Sequence, residues 1–362
     1  MSADPLGIGL IGCGKISETY VATLAGSDEV RILRCADLDI ERAQVVALAA
    51  GATPSTTAEV LADDRIGLVL NLTPPAEHAD VALAALGAGK HVYGEKPLAA
   101  SRVEARRVLD EAIPRGLVVG CAPDTFLGPS WQRARELIDS GALGTPVAAR
   151  GTMLGPGPES WHPDPAFFYR AGGGPLLDMG PYYLTALVSL LGPVARVSAG
   201  ARRTFEVRRV TGGPKIGDTL PVEVPTHVAA VLEHESGAIT TLVTSFDCWD
   251  DVHSVELWGT DGTLLLPDPN GYEGVVRRRG RELNGKWETS GLEHEPYRRG
   301  LGVVETARAI RLGDAPRASG ALAFHVLDVL LSILEAAQTA SVVDVASRCE
   351  RPTPLTTPAA VA

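Results

Sequence analysis

Cysteines are few in this sequence and form no pattern. Cys13, Cys35, Cys121, Cys248 and Cys349 are scattered through 362 residues with no C-x-x-C spacing. That argues against a zinc site or a disulfide framework and for a reducing cytoplasm. Basic charge is also short. Thirty-three Lys and Arg stand against 44 Asp and Glu, a formal net charge of −11, the wrong sign for a protein that lives on nucleic acid or an anionic membrane. No apolar run approaches the ~18 residues of a membrane span. The start, Met-Ser-Ala-Asp-Pro, lacks the basic and apolar regions of a signal peptide. What remains is ordinary globular composition, 45% hydrophobic and 21% charged, long enough for roughly two domains.

The first motif is at the start. Residues 6–11 read as a short buried strand running into Gly12-Cys13-Gly14-Lys15-Ile16-Ser17, then a helix from Glu18 to Ala25. This is the dinucleotide fingerprint G-x-G-x-x-G with Ser17 in the third place. The first glycine makes the turn, the second lets a pyrophosphate approach the backbone, and the helix amino terminus offers N–H groups and partial positive charge. Ser17, bulkier than glycine, should hold helix and strand slightly further apart. The next apolar run, Val30 to Ala36, ends in Asp37, 25 residues beyond Gly12, where an acidic residue would hold the adenosine ribose hydroxyls. Leu38 follows where a 2′-phosphate binder would carry arginine, which favours NAD. Arg42, one turn into a helix that Asp39 could cap, keeps NADP open. Asp37 read alone is equally a turn residue.

Strand and helix then alternate. Ile66 to Leu72 ends in Thr73-Pro74-Pro75; His78 opens a helix to Gly87; His91 to Gly94 runs into Glu95-Lys96-Pro97; Ser101 caps a helix to Ile113, and Leu117 to Cys121 follows. This succession predicts an α/β fold, a Rossmann doubly wound parallel sheet over residues 1–122. Its carboxyl edge gathers the glycine loop, Asp37, Thr73, Pro74, His78, Glu95 and Lys96 as cofactor-facing candidates. Read alone, His78 is a helix-start residue and Lys96 a solvated charge.

After Ala122 the composition changes. Residues 123–346 read as a substrate and oligomerisation domain of α+β type with an open, mainly antiparallel sheet. Hairpins are predicted over 228–246 and 254–266, and one sheet face is expected to join a homodimer or homotetramer. The loop 155–170, dense in Gly, Pro and aromatics, suits a substrate wall. Asp124, with Trp161, His162, Asp164 and Tyr169 of this loop, makes up the candidate substrate pocket: aromatic faces suit sugar C–H groups and carboxylates accept hydroxyl protons. The alternative is that Trp161 and Tyr169 pack the loop. Pro181 is expected in the first turn of a helix running to Leu191, with Asp178 and Tyr182 four residues apart on one face. The arginine runs (Arg202, Arg203, Arg208, Arg209; Arg277 to Arg279, Arg281) read as solvated strand edges. A final helix over 320–339, apolar at Leu322, Val326, Val329, Leu330, Ile333 and Ala337, is expected to pack back toward the first domain. Residues 347–362 read as a disordered tail.

Gly12-Cys-Gly-Lys-Ile-Ser17, Glu95-Lys96-Pro97 and Gly172-Gly-Gly-Pro-Leu-Leu-Asp178-Met-Gly180 together resemble the glucose–fructose oxidoreductase / inositol dehydrogenase / rhizopine catabolism (Gfo/Idh/MocA) family, over roughly residues 5 to 340. The resemblance implies a nicotinamide cofactor and hydride transfer at a carbon of a sugar, ketosugar or cyclitol; no metal site is expected. It makes Lys96 the active-site lysine, often followed by a cis bond to Pro97, and Asp178 the family's aspartate. Four residues on, many members carry a catalytic histidine. Tyr182 stands there instead and resembles the members that use tyrosine to exchange the proton. On this reading Lys96 polarises the substrate oxygen and, as a cation, favours the phenolate. His162 is the alternative proton carrier. Two other readings share the site: NAD-assisted glycoside cleavage without net redox change, and a non-catalytic nucleotide sensor.

Overall fold

The computed structural model describes residues 4–282, 285–290 and 298–355. These fall into two compact units. The first comprises residues 4–127, 298–327 and 352–355; the second takes 128–282, 285–290 and 328–351.

The first unit is built on a six-stranded parallel sheet: β1 (Leu6–Ile11), β2 (Val30–Ala36), β3 (Thr53–Ser55), β4 (Ile66–Asn71), β5 (His91–Gly94) and β6 (Val119–Cys121). The spatial order is β3-β2-β1-β4-β5-β6, so the direction of winding reverses between β1 and β4. That switch point opens a crevice at the carboxyl ends of the strands. Both central strands are buried along nearly their whole length, as a sheet covered on both faces requires. The connecting helices α1 (Lys15–Leu24), α2 (Ile40–Ala50), α3 (Thr57–Ala62), α4 (His78–Gly87) and α5 (Arg102–Ala112) are started by legible chemistry. Asp39 accepts the N–H groups of Glu41 and Arg42 at the head of α2. Thr56 and Glu59 form a reciprocal capping box on α3, and Ser101 accepts the Glu104 N–H on α5.

β3 was not among the expected strands. It is three residues long and contains Pro54, which cannot donate to a ladder, and it survives because it is the outermost strand of its sheet.

The second unit contains α6 (Pro129–Asp139), β7 (Pro146–Leu154), α7 (Gly174–Leu191), β8 (Val194–Arg202), β9 (Val207–Arg209), β10 (Thr219–Pro221), β11 (His227–His234), β12 (Ile239–Ser245), β13 (Val252–Gly259), β14 (Gly262–Leu266), β15 (Val276–Gly280), β16 (Glu288–Ser290) and, later in the chain, β17 (Val343–Asp344). Nine of the strands form one sheet in the order β16-β15-β14-β13-β7-β12-β11-β8-β17, and β9 pairs with β10 separately. Both expected hairpins are present, β11 with β12 and β13 with β14. Only β7 and β12 run parallel among the described pairs of this sheet. Helix α7 lies on β7, β11 and β12 and is buried from Met179 to Leu191.

That helix begins earlier than expected. Pro175 takes the first-turn position and Pro181 lies inside, where it removes the N–H that would bond the Leu177 carbonyl. Asp178 and Tyr182 remain one turn apart on the same helix.

Helix α8 (Leu301–Leu312) has no counterpart among the sequence expectations, although Leu301, Val304 and Ala307 recur at helical spacing and are buried. Its amino terminus shows where Asp124 goes. Asp124 is 1% exposed, and its Oδ2 accepts the N–H groups of Gly300 at 3.0 Å and Gly302 at 2.7 Å. The carboxylate is a cap supplied from a distant segment, at the helix end where negative charge is favoured.

The last helix, α9 (Gly320–Thr339), has the expected bounds. It is long and apolar enough to cross a membrane, and it is mostly buried. The expectation that no segment reaches that length is therefore corrected. The helix escapes a search for unbroken apolar runs because His325, Asp328 and Ser332 interrupt it, all three buried. Residues 347–355, expected in a disordered tail, are held by specific pairs instead. The Ser347 N–H donates to Asp328, and Arg351 donates to Asp139 and to the Ser189 carbonyl. In the first unit Arg317 donates to the carbonyls of Thr353 and Pro354. Residues 356–362 lie outside the described residues.

Asp124→Ala should destabilise the protein by about 1–3 kcal/mol for each buried amide it leaves unpaired, read from urea unfolding midpoints. Asp124→Asn, which keeps an acceptor, should lose less. Equal midpoints for wild type and Asp124→Ala would contradict the capping role.

Candidate active site

At the carboxyl edge of the parallel sheet the backbone leaves the ladders while still largely enclosed, and several of the freed groups meet side-chain or backbone partners. The Gly12 N–H donates to the Ala36 carbonyl at 2.8 Å. Gly12 has φ +98°, and a Cβ there would sit 2.6 Å from the Leu72 carbonyl carbon, so only glycine makes this turn. Asp37 then fixes the loop. Its Oδ2 accepts the Cys13 N–H at 2.7 Å and its Oδ1 the Asp39 N–H at 2.9 Å. At Gly14 a Cβ would meet nothing within 4 Å, so the backbone heading α1 is bare on that side. Ser17 is fully buried and its hydroxyl donates to the Gly14 carbonyl at 2.6 Å. Lys15 is exposed and Ile16 half-buried. A bare Gly14, an oriented carboxylate at Asp37 and an uncapped helix start fit the pyrophosphate and ribose of a dinucleotide.

A cavity of about 880 Å³ runs on the outer side of this loop between α1 and α2, lined by Cys13, Gly14, Lys15, Asp39 and Arg42 among others. Arg42 is turned to its own helix cap, 3.3 Å from Asp39. The Cys13 thiol is pushed up to about 12 by burial and then by the Asp37 charge. It is an inert wall rather than a nucleophile.

The Lys96 backbone is fixed with the same economy. The Glu95 N–H donates to the Asn71 carbonyl at 3.0 Å. The Glu95 carboxylate accepts from Tyr20 Oη at 2.8 Å and from the Lys96 N–H at 3.0 Å. The Lys96–Pro97 peptide is cis, and Lys96 itself is half-buried. On the neighbouring loop, Asn71 Oδ1 accepts from the Thr73 N–H and hydroxyl, while its Nδ2 donates to the His78 carbonyl. Pro74 is exposed. His78 is 2% exposed; its Nδ1 lies 2.6 Å from the Pro97 carbonyl oxygen and its Nε2 2.8 Å from that of Thr73. The ring is therefore spent on the two loops and does not face outward as a cofactor ligand.

In the second unit, Asp178 is half-buried and Tyr182 6% exposed on α7. The loop before α7 packs largely on itself. His162 makes edge contacts with Trp161, Phe167 and Phe168, and its Nδ1 accepts the Asp164 N–H. Trp161 is 66% exposed, and Asp164 pairs with Lys215 at 2.8 Å. Tyr169 is fully buried. Its hydroxyl donates to Glu159 at 2.5 Å, and burial, then that bond, push its pKa far above the usual tyrosine range.

Arg208 overturns the solvated-edge expectation. Its side chain is 12% exposed and pairs with Glu159 and with Asp247, the latter at 2.8 Å. It also donates to the Pro156 and Phe246 carbonyls. Asp247 in turn accepts from the Thr226 hydroxyl. Nothing in the sequence marks this cluster, whose members lie tens of residues apart. A cavity of about 460 Å³ beside it is lined by Glu159, Phe205, Arg208, Phe246, Asp247 and Trp249 among others, and none of the expected substrate residues lines it.

Residues 6–122 match the family described as an oxidoreductase family with an NAD-binding Rossmann fold, and residues 131–265 match the Gfo/Idh/MocA C-terminal domain. The chain belongs to the Gfo/Idh/MocA family. It is similar to inositol 2-dehydrogenase 3 of Saccharopolyspora erythraea, 32% identical over 271 residues, 72% of this chain and 73% of that protein. It is also similar to D-xylose 1-dehydrogenase (NADP(+)) 2 of Haloferax volcanii, 29% identical over 346 residues, 93% of this chain and 98% of that one. Among solved structures, the fold matches levoglucosan dehydrogenase in complex with NADH and L-sorbose, with TM-score 0.80 and 23% identity, over 95% of this chain and 100% of that one. As a Gfo/Idh/MocA member the chain is an oxidoreductase with an NAD-binding Rossmann domain and a mainly antiparallel second sheet.

Gly14→Val should leave the thermal midpoint unchanged, since its side chain enters open space, and weaken NAD binding about tenfold or more by calorimetry. Gly12→Ala, strained at positive φ, should instead lower stability by more than about 1 kcal/mol. Tight NAD binding by Gly14→Val would contradict the placement of the pyrophosphate.

Proposed function

We propose that this protein is an NAD-dependent oxidoreductase that moves a hydride between nicotinamide and an alcohol carbon of a sugar, ketosugar or cyclitol. Lys96 and Tyr182 handle the proton. The observation that carries the reading is the place of Lys96: half-buried at the carboxyl end of β5, on backbone pinned through Glu95 to Asn71 and Tyr20. The relatives named for inositol, xylose and levoglucosan support a polyol substrate.

Bound nicotinamide supplies or accepts the hydride. The chain's own residues do the rest. The Gly12–Gly14 backbone receives the pyrophosphate, and Asp37 accepts the ribose hydroxyls, its negative charge disfavouring a 2′-phosphate. The Lys96 ammonium donates to the substrate oxygen and offsets the negative charge that develops there. Tyr182 passes a proton to or from that oxygen through its phenol hydroxyl. Asp178, one turn earlier, accepts from a neighbouring substrate hydroxyl. Trp161, His162 and Asp164 belong to the substrate side of this reading; Asp124 and Tyr169 serve structure. A homodimer or homotetramer formed through the open face of the nine-stranded sheet, where Val231 and Ile239 are exposed, belongs to it too. So does a reducing cytoplasm for the five free thiols.

Lys96→Met and Tyr182→Phe should each lower kcat by about a hundredfold to ten-thousandfold, measured by NADH formation across a panel of sugars, glycosides and inositols, with NAD affinity retained. Near-normal turnover by Tyr182→Phe with intact NAD binding would remove the tyrosine from the mechanism.

A further inference from the structure

The ring of His78 has two neighbours of one kind. Nδ1 lies 2.6 Å from the Pro97 carbonyl oxygen and Nε2 2.8 Å from the Thr73 carbonyl oxygen. A carbonyl oxygen accepts and never donates, whereas a neutral imidazole carries one N–H and one lone pair. Either neutral tautomer would aim a lone pair at a carbonyl oxygen at hydrogen-bond distance, inside a site where the ring is 2% exposed. An imidazolium donates to both.

His234 shows a buried histidine whose partners suit a neutral ring in the same chain. It is 4% exposed, and its ring nitrogens meet the Gly192 carbonyl at 2.8 Å and the Thr240 hydroxyl at 3.0 Å. A hydroxyl can donate as well as accept, so one N–H and one lone pair suffice there. Burial lowers the pKa of His234 accordingly. His78 has no such donor among those two partners.

We infer that His78 is a positioning residue: as an imidazolium it ties the Thr73–Pro75 loop to the Glu95–Pro97 loop and so fixes the backbone on which Lys96 stands. The link to activity rests on the role proposed for Lys96. The Pro97 carbonyl is one residue from the lysine, and the Thr73 carbonyl belongs to the loop that follows β4, the strand beside β5. Charge-assisted bonds of this kind are stronger than neutral ones. The titratable and charged side chains near the ring and on the elements packed against α4 are Glu77 and Asp80 beside it, Glu95 and Lys96 on the tied loop, His91 on β5, and Arg102, Glu104, Arg106, Arg107, Asp110 and Glu111 on α5. The Asn71–Pro75 segment brings none. The protonated ring makes both bonds and the neutral ring one, so the tether is complete on the acid side and loses a bond as pH rises.

The test uses the full chain with isotope-labelled histidine and a long-range proton–nitrogen spectrum, the His78 signals assigned by their absence in His78→Gln. Both His78 nitrogens should carry protons at neutral pH; a single protonated nitrogen overturns the inference. In folded His78→Gln, which donates from one atom only, amide exchange at residues 95, 96 and 98 should accelerate about tenfold or more. Unchanged exchange overturns the tether. Wild-type kcat should fall on the alkaline side in step with loss of the second His78 proton, and His78→Gln should lack that step. A flat wild-type kcat across that titration overturns the link to Lys96. A wild type that turns over no polyol, yet passes the spectrum and exchange tests, refutes the role of Lys96 and leaves the tether standing.

Discussion

A parallel sheet that stops inside the protein must find partners for the backbone groups its strands release, and here a handful of side chains at the carboxyl edge supply them. Asp37 takes two N–H groups from two segments. Asn71 takes the Thr73 N–H and gives to the His78 carbonyl. Glu95, steadied by Tyr20, takes the Lys96 N–H. His78 closes the set between Thr73 and Pro97. The loops at this edge are therefore set by side chains that bond backbone. The Asp37 carboxylate, with two accepted N–H groups, still keeps lone pairs of the kind the proposed ribose contact needs.

The same constraint explains which parts of the fold were legible in the sequence. Where function and backbone geometry demand one residue type, the type announces itself: Gly12 at positive φ, the bare Gly14, the Asp37 carboxylate, the caps at Asp39, Thr56 and Ser101. Continuous apolar runs identify β1 and β4, and turn spacing identifies the two hairpins. The rest depends on partners far apart in the chain. Asp124 resembles a substrate carboxylate until Gly300 and Gly302, about 180 residues away, are seen to bond it. Arg208 resembles an edge charge until Glu159 and Asp247 enclose it. Pro181 resembles a helix start because Pro175, which takes that role, stands among glycines. Tail residues such as Arg351 have no periodicity to read; they are held by single ion pairs and carbonyls.

These distinctions narrow the chemistry as well. Two tyrosines in the second unit were candidates for contact with substrate. Tyr169 is enclosed and its hydroxyl is spent on Glu159, with burial pushing its pKa far above the usual range. His162 is wedged among Trp161, Phe167 and Phe168, with one ring nitrogen already accepting an N–H. Tyr182 is the proton carrier of the proposed mechanism for that reason as well as for its position on α7. Lys96, in the first unit, stands on backbone held by Glu95, Asn71 and Tyr20.

The central claim is net hydride transfer between nicotinamide and a carbon that is a carbonyl in the oxidised substrate and an alcohol in the reduced one, and it is tested most directly by following the hydride itself. NADH carrying deuterium at the transferring position of nicotinamide would be incubated with the protein and a panel of ketosugars and ketocyclitols, and the products weighed by mass spectrometry. The account predicts an alcohol product that has gained one deuterium on carbon, with one NADH oxidised for each molecule formed. An unlabelled product, or a cleaved glycoside formed with no NADH consumed, would contradict it.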